Sequence, residues 1–256
     1  MRDRSSRPGP SRGRGIGARR ARLAAPETVD ERRASIVAAA LDLLDADGYE
    51  QLSLRRLASH LGMHAPGLYW YIESKQELVD LMAAEIVGSG LAGLQRPEPG
   101  ANWEAWLVDL ACTMRLGLLR RRDGARVVGS SLLLKTGALT PAIEISLEIL
   151  EAAGVERLVA LGATMTLIRY AIGAALGEQV SPMAGLVDKE ELNRITQALV
   201  AAVDASKWPR AANAYQLLFQ SDMRDRGGVR DRDRIFRWGA QMFVRGFATF
   251  PGFPPP

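Results

Sequence analysis

The residues best suited to chemistry in this 256-residue chain lie between Ser53 and Tyr71. A short helical run carrying Leu54, Leu57, Ala58 and Leu61 ends at Gly62, and a second run opens at Pro66 and carries Tyr69, Trp70 and Tyr71 in succession. Short helix, glycine-containing turn, short helix is helix-turn-helix spacing, and the second helix of such a unit fits a major groove about 12 Å wide. The same spacing also suits a plain helical hairpin. Three consecutive aromatics cannot all face a small core, however, so at least one points outward, and a solvent-facing tyrosine hydroxyl suits hydrogen bonds to phosphate. His60 and His64 are four apart, but Gly62 lies between them at the helix end. No intervening carboxylate or third ligand accompanies them, so they read as surface or DNA-facing histidines and no metal site is expected. Enzymatic chemistry lacks its parts: no glycine-rich phosphate loop, no nucleophile beside a base and no carboxylate pair in an apolar setting. Gly13-x-Gly15 follows no strand and is no dinucleotide fingerprint. The single cysteine, Cys112, excludes an internal disulfide framework and a cysteine-based zinc site. No cofactor is expected.

The elements that position this unit are helical from residue 28 onward. Thr28-Val29-Asp30-Glu31 is a capping box, after which Ile36, Ala40, Leu43 and Leu44 share one face. Gly48 is expected to end that helix as a left-handed cap, Ser53 to cap the next, and Gly62 to close it. Pro66 suits a first helical turn, giving a third short helix through about Tyr71. Ser74-Lys75-Gln76-Glu77 is a second capping box, opening a longer helix with Leu78, Leu81, Met82 and Ile86 inward. The stretch from Gly88 to Gly100, with Pro97 and Pro99, breaks the pattern and marks a boundary. Further helical stretches are expected near 102–121, 125–135, 140–152, 155–179, 187–205 and 232–249, with a polar loop around Asp222 to Asp233 between the last two. No window alternates long enough for a strand. The expected fold is all-α, a small N-terminal helical unit followed by a larger C-terminal bundle.

Charge is unevenly placed. Residues 1–22 carry eight arginines against Asp3, a local +7 within an overall +4, which leaves −3 for the remainder. With four glycines, two prolines and one branched aliphatic, this stretch cannot bury enough apolar surface to offset its ordering entropy, and it reads as a disordered arm able to touch nucleic-acid phosphates. It is no signal peptide, because no apolar stretch follows the arginines. Arg12-Gly13-Arg14 has the core of a minor-groove AT-hook without its complete flanking prolines, and a solvated linker is the preferred reading. Leu158 to Leu176 is almost wholly apolar, but Arg169 interrupts it and neither aromatic belts nor a basic loop flank it. It reads as a core or subunit-interface helix, not a membrane span.

On these residues the chain resembles the tetracycline-repressor (TetR) family of bacterial regulators. Asp47-Gly48-Tyr49, then Leu57-Ala58-Ser59-His60-Leu61-Gly62, then Leu68-Tyr69-Trp70-Tyr71, then Lys75 and Leu78 follow the family pattern without gaps. Trp103 to Trp106, the stretch from Leu118 to Val127, Gly154, and the run from Gly173 to Gln179 are similar to the tetracycline repressors themselves. Behind the arm, taken as residues 1–29, the resemblance implies a DNA-binding domain at 30–90 with the helix-turn-helix at 53–72, and an effector-binding and dimerisation domain at 91–256. It also implies contact with phosphate or base by Ser53 and Arg55, approach to base edges by Ala65, Pro66 and Gly67, contacts from Tyr69 and Tyr71, and a phosphate anchor at Lys75. Arg55 is able to engage guanine bidentately, and Lys75 adjoins a helix N-terminus that itself favours phosphate. Ala65 stands where a glutamine would read a base, so the operator is expected to differ from the tetracycline operator.

The resemblance further implies a small-molecule effector. The positions that hold a drug–magnesium chelate in the tetracycline repressors fall here on Leu91, Leu110, Val128, Leu132, Ser146 and Gly177. Leucine and valine offer the drug no donor and no imidazole remains for magnesium, so a tetracycline–magnesium complex is not expected; a hydrophobic or aromatic effector is. Trp106, Met114, Arg169 and Tyr170 complete the expected pocket. Two readings of Arg169 stand open: pairing with an internal acid such as Glu144 or Glu178, or holding a carboxylate or phenolate of the ligand. The helix from Val155 to Gln179 and the one carrying Phe236, Trp238, Met242, Phe243 and Phe247 match the family's dimer bundle. The expected molecule is thus a cytoplasmic, nucleoid-associated homodimer on double-stranded operator DNA, a repressor released by its effector. Activation, or regulation without an effector, is the alternative.

Overall fold

The computed structural model describes residues 28–98, 100–180, 189–224 and 229–249. The arginine-rich arm up to residue 27 and part of the expected polar loop (225–228) lie outside the described residues. Eleven α-helices and no strand form among the described residues. The N-terminal unit comprises α1 (Val29–Asp47), α2 (Leu54–His60), α3 (Ala65–Tyr69) and α4 (Lys75–Leu91). The C-terminal bundle comprises α5 (Trp103–Leu119), α6 (Gly124–Gly129), α7 (Thr140–Ala152), α8 (Arg157–Gln179), α9 (Lys189–Ala201), α10 (Pro209–Arg224) and α11 (Val229–Ala248). Ile36, Leu44, Leu57, Leu68, Leu78 and Met82 close the head, and the same apolar cluster runs on through Leu107, Leu110, Met114 and Leu167. Each such fully buried aliphatic contributes roughly 1.5–3 kcal/mol.

Local sequence signals account for most helix starts. Thr28 Oγ1 accepts from the Glu31 amide (3.2 Å) while Glu31 Oε2 accepts from the Thr28 amide (2.7 Å), a complete capping box. At Ser74 only half the box forms. Its hydroxyl accepts from the Glu77 amide (3.1 Å), but the Glu77 carboxylate accepts from the Glu73 amide (2.6 Å) and pairs with Arg33 of α1. The glutamate is thereby spent on holding α4 against α1. Gly48 has φ +83 but ψ 170, so it is not the expected left-handed cap; this turn presents the Tyr49 amide to Asp123 (2.8 Å).

Several boundaries differ from expectation for identifiable reasons. Gly88 and Gly90 do not break the helix; α4 continues to Leu91 because Gly90 meets Gly117 of α5, where a Cβ on Gly117 would stand 2.6 Å from the Gly90 Cα. The glycines permit a close backbone crossing. The third helix ends at Tyr69, not Tyr71. The stretch expected near 125–135 is split: α6 ends at Gly129, and a 3₁₀ turn occupies Leu133–Thr136 after the Leu132 amide donates to Asp80 (2.8 Å). Helix α10, opened by Pro209, was not expected, and α11 starts at Val229, so helix reaches into both ends of the span assigned to a loop.

Helix α8 is long and apolar enough to cross a membrane by length and composition, with a mean hydropathy of 1.5. In the fold it packs chiefly on α5, α7 and α6, burying Ala160, Ala163, Leu167, Ile168, Ala171 and Ala175.

Candidate nucleic-acid interface

Two short helices frame the site. Ser53 Oγ accepts from the Arg56 amide (3.3 Å), fixing the start of α2 and leaving the hydroxyl proton free to donate outward. Leu57 and Ala58 anchor α2 inward, and the Met63 amide closes the turn on the Ala58 carbonyl (2.9 Å). Gly62 takes φ +63, a left-handed conformation open to glycine at no steric cost. Leu68 and Ile72 then anchor α3 and the turn after it.

Ser53, Arg55, His64, Ala65 and Pro66 are exposed, and Gly67 and Tyr71 are half-buried. Tyr69 is 53% exposed and Trp70 87%, so the aromatic run divides with two rings outward. Arg55 has no partner among the described residues, whereas Arg56 is held by Asp47 at 2.7 Å. Lys75 is exposed at the first turn of α4, with its Nζ 5.4 Å from the Tyr49 ring centroid. Of the residues expected at a nucleic-acid contact, Ser53, Arg55, Ala65, Pro66, Tyr69 and Lys75 are exposed and Gly67 and Tyr71 half-buried. Trp70, the most exposed ring, was not among them; its signal was the three-aromatic run, which required an outward ring without saying which.

Tyr49 also joins this head to the body. Arg126 of α6 lies over the other contact of its ring (4.9 Å to the centroid) and pairs with Glu50, and Asp123 holds the Tyr49 amide. At the far end of α6, Gln76 donates to the Ser130 carbonyl (3.1 Å) and to Asp80 (2.9 Å), the carboxylate that also takes the Leu132 amide. Both ends of α6 are therefore fastened to the N-terminal unit. Gln179 ties α8 in as well, donating to the Leu118 and Arg121 carbonyls and accepting from the Ala125 amide.

The expected effector residues do not line one open cavity. Trp106, Leu110, Met114, Val128 and Ser146 are buried; Trp106 donates to the Gln95 carbonyl (2.9 Å) and Ser146 to the Ala142 carbonyl (2.7 Å). Leu91 borders an apolar cavity of about 190 Å³ with Leu94, Pro141 and Ile145. Leu132 is 59% exposed and Gly177 is exposed. Arg169 is exposed and not buried as expected, because it shares a helix face with Gly162, Thr166 and Gly173. Tyr170 stacks on Phe236 (4.7 Å between centroids) and donates to its carbonyl (3.1 Å).

The buried arginine is instead Arg115 of α5, only 3% exposed. Its Nε and Nη2 grip Glu178 of α8 (2.6 and 2.7 Å), its Nη1 donates to Asp233 of α11 (2.6 Å), and its guanidinium lies 5.0 Å from the Phe236 ring centroid. Burial acts to lower the Arg115 pKa, but the hydrogen bonds and charges of Glu178 and Asp233 outweigh it and raise it. Burial also pushes the neighbouring Cys112 thiol up, keeping it protonated and unreactive.

Comparison with known proteins gives the same picture along most of the chain. Residues 36–82 match the bacterial regulatory proteins of the tetR family, and residues 96–250 match the tetracyclin repressor-like C-terminal domain. The class D tetracycline repressor of Escherichia coli is 31% identical over 216 residues, covering 84% of this chain and 88% of its own. Among solved structures, a possible TetR family transcriptional regulator from Streptomyces coelicolor A3(2) superposes with a TM-score of 0.64 at 28% identity, over 84% of this chain and 97% of its own. BioQ, solved with its double-stranded DNA operator, gives 0.56 at 25% identity over 85% and 98%.

Proposed function

The chain belongs to the tetR family of bacterial regulatory proteins, a family of DNA-binding transcriptional regulators and not of enzymes, and from that premise we propose that it is a repressor that binds a pseudo-palindromic operator as a homodimer and is released by a hydrophobic or aromatic small molecule. The observation that carries the reading is the outward face of α2 and α3, where Arg55, Tyr69 and Trp70 stand free of the core. Arg55 reads a base edge, Ser53, Tyr69, Tyr71 and Lys75 grip phosphates, and Ala65, Pro66 and Gly67 let the backbone approach the groove. With no amide side chain at Ala65, specificity rests more heavily on Arg55.

Dimerisation is supported by exposed apolar side chains on α11 and α8 that none of the described residues buries. Ile235, Trp238 and Met242 of α11 are 46%, 53% and 70% exposed, and Leu158 of α8 is 71% exposed. Gly162 and Gly173 on α8 and Gly246 on α11 allow close approach, and an apolar groove of about 440 Å³ runs between the two helices at Val159, Ala163, Met242 and Phe243. A two-fold axis through these side chains presents two recognition helices to half-sites one turn, about 34–36 Å, apart. The effector enters at the cavity beside Leu91 and expands it toward Trp106, Leu110, Met114, Val128 and Ser146, all apolar or already satisfied. Because α6 is fastened to Tyr49, Gln76 and Asp80, a shift of α6 tilts α4 and changes the spacing of the readers; a coupling of about 1–3 kcal/mol suffices.

Gel shift against the DNA upstream of its own gene tests this directly. A specific shift is expected, and Arg55→Ala should weaken it by about 1–3 kcal/mol while altering non-specific binding far less. No shift at low salt overturns the reading.

A further inference from the structure

A second groove lies between α1 and α4. About 760 Å³ in volume, it is walled by α1 and α4, floored by Val37, Leu41, Leu81 and Ala84, and closed at one end by the turn at Thr136–Ala138. Five charged residues border it. Arg33 is already held by Glu77 and Arg121 by Asp45. Asp42 reaches Arg121 only at 4.0 Å and is 75% exposed, and Asp30 and Glu85 have no partner among the described residues. The groove therefore presents an apolar floor with a net acidic rim.

We propose that the arginine-rich arm, residues 1–27, occupies this groove when the protein is off DNA. Position, length and charge all favour that occupant. The arm joins α1 next to Asp30, at the mouth of the groove. From Asp30 to Asp42 along α1 is about 18 Å, which a segment able to extend about 3.3 Å per residue spans several times over. Its first 22 residues carry eight arginines against one acid, and an arginine lays its aliphatic stem on apolar surface while its guanidinium meets a carboxylate at the rim. The same arginines are the chain's densest phosphate-binding charge. Groove and DNA backbone thus compete for one segment, and the acids of α1 and α4 restrain non-specific DNA binding until a duplex displaces the arm. The restraint on DNA rests on the regulator reading above; the docking itself does not.

Trypsin clipping of the full-length, DNA-free chain reads the docking without DNA. In low salt, Asp42→Asn/Glu85→Gln should speed cleavage after the arm arginines by roughly three- to tenfold, because removing two exposed ion pairs raises the undocked population by about that factor. Cleavage within the helical body should stay unchanged, and the difference should vanish near 1 M salt, where the screening length is about 3 Å. Equal arm cleavage in both proteins overturns the proposal. So does uniform acceleration at arm and body sites, which would mean that the acids merely hold the head together. On DNA, the same pair of substitutions should tighten non-specific binding severalfold in the natural chain and not in a chain whose arm arginines are glutamine; an equal gain in both would assign the effect to the overall field and contradict the docking.

Discussion

Replacing Arg115 with methionine is expected to cost about 3–5 kcal/mol of stability, the usual consequence of removing one partner from a buried ion pair. The fall should sit toward the lower end of that range, because Asp233 is 47% exposed and regains water while Glu178, at 20%, does not. For a domain this size that lowers the melting midpoint by roughly 6–12 °C. The substitution also frees three helices from one another, since Arg115 is the common partner of α5, α8 and α11. Adding Glu178→Gln and Asp233→Asn to Arg115→Met should recover much of the loss, because replacing the whole cluster removes the orphaned charges. Calorimetry of the single and triple variants checks this. A neutral single variant would mean that the cluster is hydrated in solution and clamps nothing.

Met242→Asp should abolish dimerisation and operator binding together. At 70% exposure in the single chain the residue is dispensable for folding, and it lines the groove between α8 and α11. In a two-fold interface one substitution introduces two carboxylates, each desolvated at a cost of several kcal/mol, so the dimer constant should weaken by on the order of 10³ or more. Each lone subunit would then offer one recognition helix, and specific affinity should collapse with the dimer. Met242→Leu should preserve both. Size-exclusion chromatography and gel shift on the same preparations separate this outcome from misfolding, and a Met242→Asp protein that remains dimeric would place the interface elsewhere.

The head was legible in the sequence because its signals are local. The cap residues Thr28, Ser53 and Ser74, the glycine at position 62 and the inward leucines act within a turn of where they stand, and the run Tyr69-Trp70-Tyr71 required an outward ring without saying which. The body was less legible because its decisive contacts are remote. Arg115, Glu178 and Asp233 meet across separations of 63 and 118 residues, and no spacing announces them. Gly90 looked like a helix breaker since its reason for being glycine, the backbone of Gly117, lies on another helix. Arg169 was misplaced by composition: its apolar neighbours suggested burial, whereas the helical period already set it with Gly162, Thr166 and Gly173 on the uncovered face. Of the expected effector residues, Trp106, Leu110, Met114, Val128 and Ser146 are buried, Leu132, Arg169, Tyr170 and Gly177 are exposed, and only Leu91 borders the small cavity, because side-chain type alone does not say which helix face is covered.

Sedimentation equilibrium of the natural chain at micromolar concentration reads the pairing of subunits itself. Paired subunits joined along α8 and α11 should sediment at twice the 27.8 kDa of one chain, and titrating in operator duplex should add one DNA to each pair. A mass of one chain under those conditions, or one subunit per specific duplex, would contradict the account of how two reading helices reach DNA together.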